Sequence, residues 1–491
     1  MLTSRSRCSY GAFKPAPGEP MPLSRRHFLR NSAATTLAFS GLAALSACQR
    51  RYPAEQGYFN QVEGFGHLRV DPDGLFDLPR GFTYEVISSA GQPMSDGLVV
   101  PGDLDGMACF ERADGRLVLV RNHELRIGET DKSPFGVDNA GLDLIDRSRV
   151  HDWDENGNPH IGGTSHVILN PETLAVEDEY LSLVGTINNC AGGPTPWGSW
   201  LTCEENETNA GPEAGVEHGY VFEVPADATG LVEPVPLRAM GRFRHEAVAI
   251  DPRTLITYLT EDRYEQCLFY RFLANVPGDL AQGGRLQGLS VRGRPAMDTR
   301  NWDGAGVTQG EWLDVEWIDL DDVEAPNADL ALRGIAAGAA QFTRGEGIWW
   351  GDNECYFTCT DGGAERLGQI WRYQPSPAEG EAGESAEAGR LQLFFESHDD
   401  AVMERCDNLC VAPWGDLIVV EDGPQDQYIR GVTPDGEVYT IGRNAASGPD
   451  GQKSEICGPC FSPDGSTLFF NVQRHPGQTF AVRGPWPARS L

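Results

Sequence analysis

One pattern constrains this chain more than any other. A short apolar strand, a Pro/Asp/Gly turn and a second β-rich strand recur six times along it. "DGMACFERADGRLVLVRNHE" turns at Asp114-Gly115, and "NNCAGGPTPWGSWLTCEENE" turns at Trp197-Gly198. "HEAVAIDPRTLITYLTED" turns near Arg253 and "EGIWWGDNECYFTCTDGG" near Asn353. "CDNLCVAPWGDLIVVEDG" turns at Trp414-Gly415, and "CGPCFSPDGSTLFFNVQRH" at Asp464-Gly465. Gly, Asp and Asn at these points supply the backbone conformations a tight hairpin requires. No long helical periodicity separates the hairpins, so the chain reads as all-β.

In an antiparallel hairpin, residues equidistant from the turn face each other. Folding each segment about its turn pairs Asp105 with His123, Cys190 with Glu204 and Glu246 with Glu261. It also pairs Glu346 with Asp361, Asp407 with Glu421 and Cys457 with Gln473, with room for a slip of a residue. Ligand-type side chains therefore gather at the open end of each hairpin. A six-bladed β-propeller with loop insertions explains this, because its hairpins converge on one mouth of a central channel. A sandwich or jelly roll accommodates the strands but not the recurrence of acids at one end. The low-complexity segment Pro375–Arg390 is expected to be a mobile surface loop. Residues 276–340 show no hairpin and are expected to hold an outer strand with insertions.

The N-terminus carries "SRRHFLR", a twin-arginine consensus, ahead of a weakly apolar run too short and too rich in small residues to span a membrane. Residues 1–47 are read as an export signal and 48–491 as a single propeller domain. "LSAC" has the form of a lipobox, which would place lipid on Cys48, with ordinary cleavage near Ser46 as the alternative. Met21 lies at the usual distance before the Arg pair for a start. These features predict a periplasmic or outer-membrane location, or the cell surface. The net charge is −33, and the basic leader makes the remainder more acidic still. Such a surface is unsuited to nucleic acid, whose binding depends on Lys and Arg at the phosphates. A monomer is expected.

Glu124, Glu204, Glu205, Glu246, Glu261, Asp262, Glu346, Asp361, Glu421 and Asp422 are expected around the mouth. Carboxylates so close raise one another's pKa and destabilise a fold unless cations relieve them. Ca2+ and iron(III) both favour oxygen ligands. Cys190 adds a softer thiolate, which points to a transition metal, with packing or a disulfide as alternatives. Cys203 should point the other way, into the blade. The pairs Cys355/Cys359, Cys406/Cys410 and Cys457/Cys460 read as structural disulfides or core thiols. Arg344, two residues before Glu346, would set a guanidinium beside the acids as a clamp for an anion such as phosphate, or as a plain salt bridge. Arg244 before Glu246 is a second candidate. His123 and His245 read as structural hydrogen-bonders. No G-x-S-x-G elbow, H-E-x-x-H or P-loop occurs.

"NNCAGGPTPWGSWLTCEE", "RHEAVAIDP", "YLTEDR", "RGEG", "VEDG" and "FSPDGSTLFFNVQ" together resemble the PhoX family of alkaline phosphatases, in pieces over about residues 60–486. The resemblance implies a propeller holding two iron(III) ions joined by an oxo bridge, with calcium ions alongside, acting on small phosphoesters. By motif match it implies Cys190 as an iron ligand and Glu246 as a bridging or iron-ligating carboxylate. Arg344 would hold phosphate and Glu346 a metal, which makes Glu246, Arg344 and Glu346 the expected catalytic set. Glu204, Glu205, Asp262 and Asp422 match acidic positions less closely. The chain departs from the family in its shorter length, in Leu125-Arg126 after "RNHE", and in Cys406, Cys410, Cys457 and Cys460. A calcium-dependent propeller esterase or lactonase, or a non-catalytic propeller lipoprotein that binds a partner, are the rival expectations.

Overall fold

A computed structural model describes residues 57–487 apart from 137, 138, 305, 450 and 476. The twin-arginine segment, the start at Met21, the lipobox and Cys48 lie outside the described residues.

All six hairpins form where the turn residues place them. Leu104–Glu111 pairs with Leu117–His123, Asn189–Pro194 with Ser199–Glu204, and His245–Ile250 with Thr257–Glu261. Gly345–Trp350 pairs with Cys355–Cys359, Cys406–Val411 with Leu417–Glu421, and Ile456–Phe461 with Thr467–Val472. The first strand of each hairpin packs against the first strands of the hairpins before and after it, and the sixth packs against the first. The ring closes, giving a propeller-like arrangement around a channel. Further strands extend each hairpin outward. Thr83–Ser89, near the start of the described chain, pairs with Gln478–Arg483 near its end and ties the two together.

Five hydrogen-bonded sheets result rather than six. Trp312–Asp319 pairs with both Asp279–Val291 and Arg390–Glu396, which joins the third and fourth hairpin groups into one nine-stranded sheet. Residues 276–340 thus hold two paired strands where one outer strand and no hairpin were expected, and Asp279–Val291 also forms a tight hairpin with Phe269–Val276. They are accompanied by a helix, Leu330–Ala337, that hydrophobic periodicity had not signalled. Pro375–Arg390 is a largely exposed loop between the strands Gln369–Gln374 and Arg390–Glu396, as expected, but it is anchored to the blade. Glu379 is buried and accepts from the Arg271 guanidinium at 2.7 Å, from Tyr373 Oη at 2.8 Å and from the Ser376 amide at 2.8 Å. Arg271 also holds Glu384. A charge-assisted anchor outweighs the disorder that the composition suggests.

Apolar faces of neighbouring hairpin groups pack into several contiguous cores, and the paired cysteines sit in them. Cys355 and Cys359 pack with Tyr258, Phe357 and Trp371, while Cys410 packs with Ile418 and Phe470. Every cysteine among the described residues is a free thiol, so the core-thiol reading holds and the disulfide reading does not.

The six inner hairpins share one irregularity. Each carries a one-residue β-bulge on its first strand at its open end, between Leu104/Met107, Asn189/Gly192, His245/Val248, Gly345/Ile348, Cys406/Leu409 and Cys457/Cys460. A bulge re-aims a side chain that regular alternation would point elsewhere. The first bulge residues are Asp105, Cys190, Glu246, Glu346, Asp407 and Gly458. The second are small or compact: Gly106, Ala191, Ala247, Gly347, Asn408 and Pro459. They let the inner strands meet closely below the mouth. A Cβ at Gly347 would stand 2.6 Å from Asn408 Cα, and one at Gly106 2.5 Å from Ala191 Cα. Backbone cannot yield there as a side chain can. Gly347→Val should therefore lower stability by about 2 kcal/mol through overpacking, measured as a lower denaturant midpoint. An unchanged midpoint would show that the inner strands can part at no cost.

Candidate active site

The bulges converge on a cavity of about 320 Å3 at the open ends of the hairpins. Of the first bulge residues, Asp105, Cys190, Glu246, Glu346 and Asp407 line it, and only the sixth hairpin's Gly458 brings no ligand. A second tier comes from the residue just beyond each second strand. Its amide bonds back to the chain entering the hairpin: Glu124 to Asp103, Glu205 to Asn188, Asp262 to Arg244, Thr360 to Arg344, Asp422 to Arg405 and Gln473 to Glu455. Glu124, Glu205, Asp262, Asp422 and Gln473 face the cavity, joined by Glu455 and by Arg126, Arg244, Arg344 and Arg474. The entering residues Asp103, Asn188, Arg344 and Arg405 have φ between 40° and 60°, in the left-handed region. This shared kink, followed by the bulge, brings Arg344 and Glu346 to the same cavity.

Nine carboxylates thus face four guanidiniums across a small volume. The arginines neutralise the second tier. Arg344 Nε lies 3.1 Å from Asp262 Oδ1 and its Nη2 2.6 Å from Glu346 Oε1. Arg244 pairs with Glu205, Arg126 with Glu124 at 2.7 Å, and Arg474 with Glu124 at 3.3 Å. Among the described residues, no cation pairs with Glu246, Asp105, Asp407 or Glu455. Burial first, then neighbouring carboxylates, hold Glu246, Asp105 and Glu455 well above the usual carboxylate range. Glu346 is raised by burial and then by Asp262, against the pull of Arg344. Asp407 is pushed up to about 8 by burial and Asp422, and Glu205 to about 8 by burial and Asp262. Burial and the charge of Glu246 likewise hold the Cys190 thiol in its protonated form.

This donor set fits bound cations. Cys190, Glu205 and Glu246 bring one ligand atom each within 4.8 Å of one another, and Glu246, Glu346 and Asp407 do the same. Glu246 belongs to both sets, as a carboxylate bridging two ions would. Cys203, by contrast, is buried in the core beside Leu201 and Val221, as expected.

Glu204, Glu261 and Glu421 do not face the cavity, a correction to the ten-carboxylate ring. Successive residues in a strand point to opposite sides, so only one of each acidic pair can look inward, and Glu205, Asp262 and Asp422 do. Their neighbours are tied into the blades. Glu204 holds His218, Glu261 accepts from Tyr270 Oη at 2.6 Å, and Glu421 accepts from Arg430 Nε at 2.8 Å. Asp361 also stays outside, near Arg405 Nε at 3.7 Å, because Thr360 occupies the second-tier position in its hairpin. The bulge is why four of the registers, those of the first, second, third and fifth hairpins, slip by one residue from the symmetric fold. The fourth, where Gly345 faces Cys359, and the sixth are offset on the turn side of the bulge as well. His123 faces Leu104, Glu204 faces Asn189, and Glu421 faces Cys406. The expected open-end pairing of Cys457 with Gln473 slips to Cys457 with Asn471. His123 and His245 act as structural hydrogen-bonders, to Ser165 and to the Gly241 carbonyl.

Sequence reasoning did not count Asp105, Asp407, Glu455, Gln473, Arg126 or Arg474 among the site residues. A signal for the first two was present. Asp-Gly, Cys-Ala, Glu-Ala, Glu-Gly and Asp-Asn recur at the five ligand-bearing bulges, each a ligand-type residue before a small or compact one.

The alkaline phosphatase PhoX family matches residues 63–477. The chain belongs to this family. It is a metal-dependent phosphatase with a propeller fold. Among solved structures, PhoX of Pseudomonas fluorescens in complex with vanadate, a transition state analogue, is similar over 84% of this chain and 96% of its own, with a TM-score of 0.60 and 17% identity. That likeness supports the fold. A gluconolactonase of Xanthomonas campestris aligns over 85% of this chain and 100% of its own at 14% identity, with a TM-score of only 0.36. No curated protein matches the sequence.

The raised carboxylates give the metal-free protein a definite pH dependence. Their folded-state pKa values exceed the unfolded ones, so the folded state keeps protons that the unfolded chain has released. The stability they contribute is complete below the ordinary carboxylate range and is lost as pH rises through about 8. Chelator-treated protein should show a falling Tm between pH 5 and pH 8, and metal-loaded protein should not. A Tm that climbs over this range after chelation would contradict the charge balance described.

Proposed function

We propose that the cavity hydrolyses small phosphomonoesters, with iron(III) and calcium as its cations. Arg344 carries this reading. Its guanidinium stands in the cavity between Asp262 and Glu346, next to two ligand sets that share Glu246. Cys190, Glu205 and Glu246 would hold iron, since a thiolate among carboxylates selects a transition metal over calcium. Glu246, Glu346 and Asp407 would hold a second ion, and the remaining carboxylates, including Glu124, Asp262 and Asp422, suit calcium. When bound, such cations supply Lewis acidity toward phosphoryl oxygens and neutralise charge as the ester bond breaks.

The chain's own residues do the rest. Arg344 exchanges part of its contact with Glu346 and Asp262 for two phosphoryl oxygens, which fixes the ester and stabilises the charge that builds on them. Arg126, Arg244 and Arg474 at the mouth draw in an anion that the acidic surface would otherwise repel. No Ser, Thr or His lines the cavity among the described residues, and the Cys190 sulfur would be committed to the metal. Water is therefore the group that displaces the leaving alcohol. The cavity is at the small end for a ligand site. It accommodates a phosphoryl group with its leaving group projecting outward, which favours monoesters of varied alcohols over diesters. The twin-arginine leader supports export of a folded, metal-loaded monomer to the periplasm or the outer membrane, with lipid on Cys48 as the attachment.

Arg344→Ala should lower kcat/KM for a chromogenic phosphomonoester by about 100-fold. Cys190→Ser should abolish a thiolate-to-iron absorption band and the bound iron with it. Kinetics on paired mono- and diester substrates, together with elemental analysis of protein purified without chelator, test both. Full activity in iron-free protein, or in Arg344→Ala, would overturn the assignment.

A further inference from the structure

Away from the cavity, the described residues hold another cluster of metal-ligating side chains. Asp152, His160 and His218 are buried, and one ligand atom of each lies within 4.8 Å of the others. The stretch "HDWDENGNPH" (residues 151–160) doubles back at Asn156-Gly157. Trp153 pairs with Pro159, and the His160 amide donates to the Asp152 carbonyl at 3.2 Å. The turn sets Asp152 and His160 side by side. His218 enters from the segment that leads into the strand Val221–Pro225. Its Nε2 is 3.1 Å from Asp152 Oδ2, and His160 Nε2 is 3.4 Å from the same oxygen. Four ligands at zinc bond lengths of about 2.0–2.1 Å stand about 3.3 Å from one another in a tetrahedron. Asp152 Oδ2 already has that spacing to both imidazole nitrogens, and the two nitrogens lie within 4.8 Å of each other.

Hydrogen-bond spacing is similar, so two further observations decide. Glu204 Oε1 lies 2.6 Å from His218 Nδ1, and the Glu204 carboxylate is itself held by the amides of Ile187, Gly219 and Tyr220. A fixed carboxylate that takes one imidazole N–H leaves the other nitrogen's lone pair directed at Asp152, the arrangement that orients metal-binding histidines. A positive charge must then sit between that lone pair and the Asp152 carboxylate. A proton would serve His218 alone. It would leave His160 Nε2, which is buried, faces the same oxygen and has no hydrogen-bond partner. A cation satisfies all three groups at once.

We propose that Asp152, His160 and His218 form a second metal site, separate from the channel cavity, for a divalent transition cation of the zinc type. Two imidazole nitrogens and a carboxylate oxygen suit zinc better than calcium or magnesium. Asp152 Oδ2 also accepts from the Gly215 amide at 2.8 Å, and a Cβ at Gly215 would stand 2.6 Å from Asp152 Oδ1. The bound ion thus clasps residues 151–160 to the 204–220 segment, whose first residues carry Glu205 into the cavity.

The test uses zinc and the full chain, and does not read phosphatase activity. Crystals of the wild-type protein soaked in zinc chloride, with data collected across the zinc absorption edge, should show an anomalous peak bonded to His160 Nε2 and His218 Nε2. After equilibration with zinc and gel filtration, His160→Ala should carry about one zinc per chain less than wild type. Zinc should raise the Tm of wild type and not that of the variant. Anomalous density at the Cys190 cavity alone, or equal zinc in wild type and His160→Ala, would overturn the proposal and leave a proton-bridged His218.

Discussion

The repulsion among carboxylates at the channel mouth is the constraint on which the rest of this structure turns. Four of them have no cation partner among the described residues, and three of those, Asp105, Glu246 and Asp407, are buried, in a cavity where nine acids meet four arginines. A fold does not collect such charge for stability, since each buried carboxylate without a partner costs several kcal/mol or gives up its ionisation. The arrangement becomes favourable only with cations in place. Glu246, shared by two ligand sets, marks where they would sit closest. The propeller supplies what a loop-built site would lack: six strand pairs locked side by side, each holding its ligands against the repulsion of the others.

The bulge is the device that delivers those ligands. Without it, regular alternation would send the residues at 105, 190, 246, 346 and 407 to other faces of their strands, and the small residues beneath them could not line the closely packed channel. The same geometry separates two populations of acid that look identical in the chain. Glu205, Asp262 and Asp422 turn inward. Glu204, Glu261 and Glu421 turn into the blades, where His218, Tyr270 and Arg430 receive them. One population suits cation binding and the other braces the second strand of its own hairpin from behind.

Much of this was legible in the chain. Turn chemistry placed all six hairpins, and hairpin symmetry placed the ligand-rich ends together. Cys190 and Cys203 were assigned to opposite sides correctly, because the hairpin register separates them. The errors have physical causes. Folding each hairpin symmetrically about its turn ignores a bulge, so the open-end registers slipped; Asp105 and Asp407 were placed at the open ends but not counted as ligands. Accepting both members of each acidic pair neglected strand alternation. Pro375–Arg390 looked mobile by composition because its anchor, Arg271, lies more than a hundred residues away in the chain.

The sequence by itself determined the all-β hairpin repeat, the gathering of acids at the open ends, and the exchange of a soft ligand, Cys190, into an oxygen-rich set. These follow from local turn propensity and from counting residues outward from each turn. Only the tertiary structure decided which acids point inward, how Arg344 is shared between Asp262 and Glu346, and that Glu204 braces His218 beside Asp152 and His160. Those outcomes depend on contacts such as Arg344 to Asp262 and His218 to Asp152, 82 and 66 residues apart, and on a one-residue bulge, and neither leaves a periodic trace in the chain.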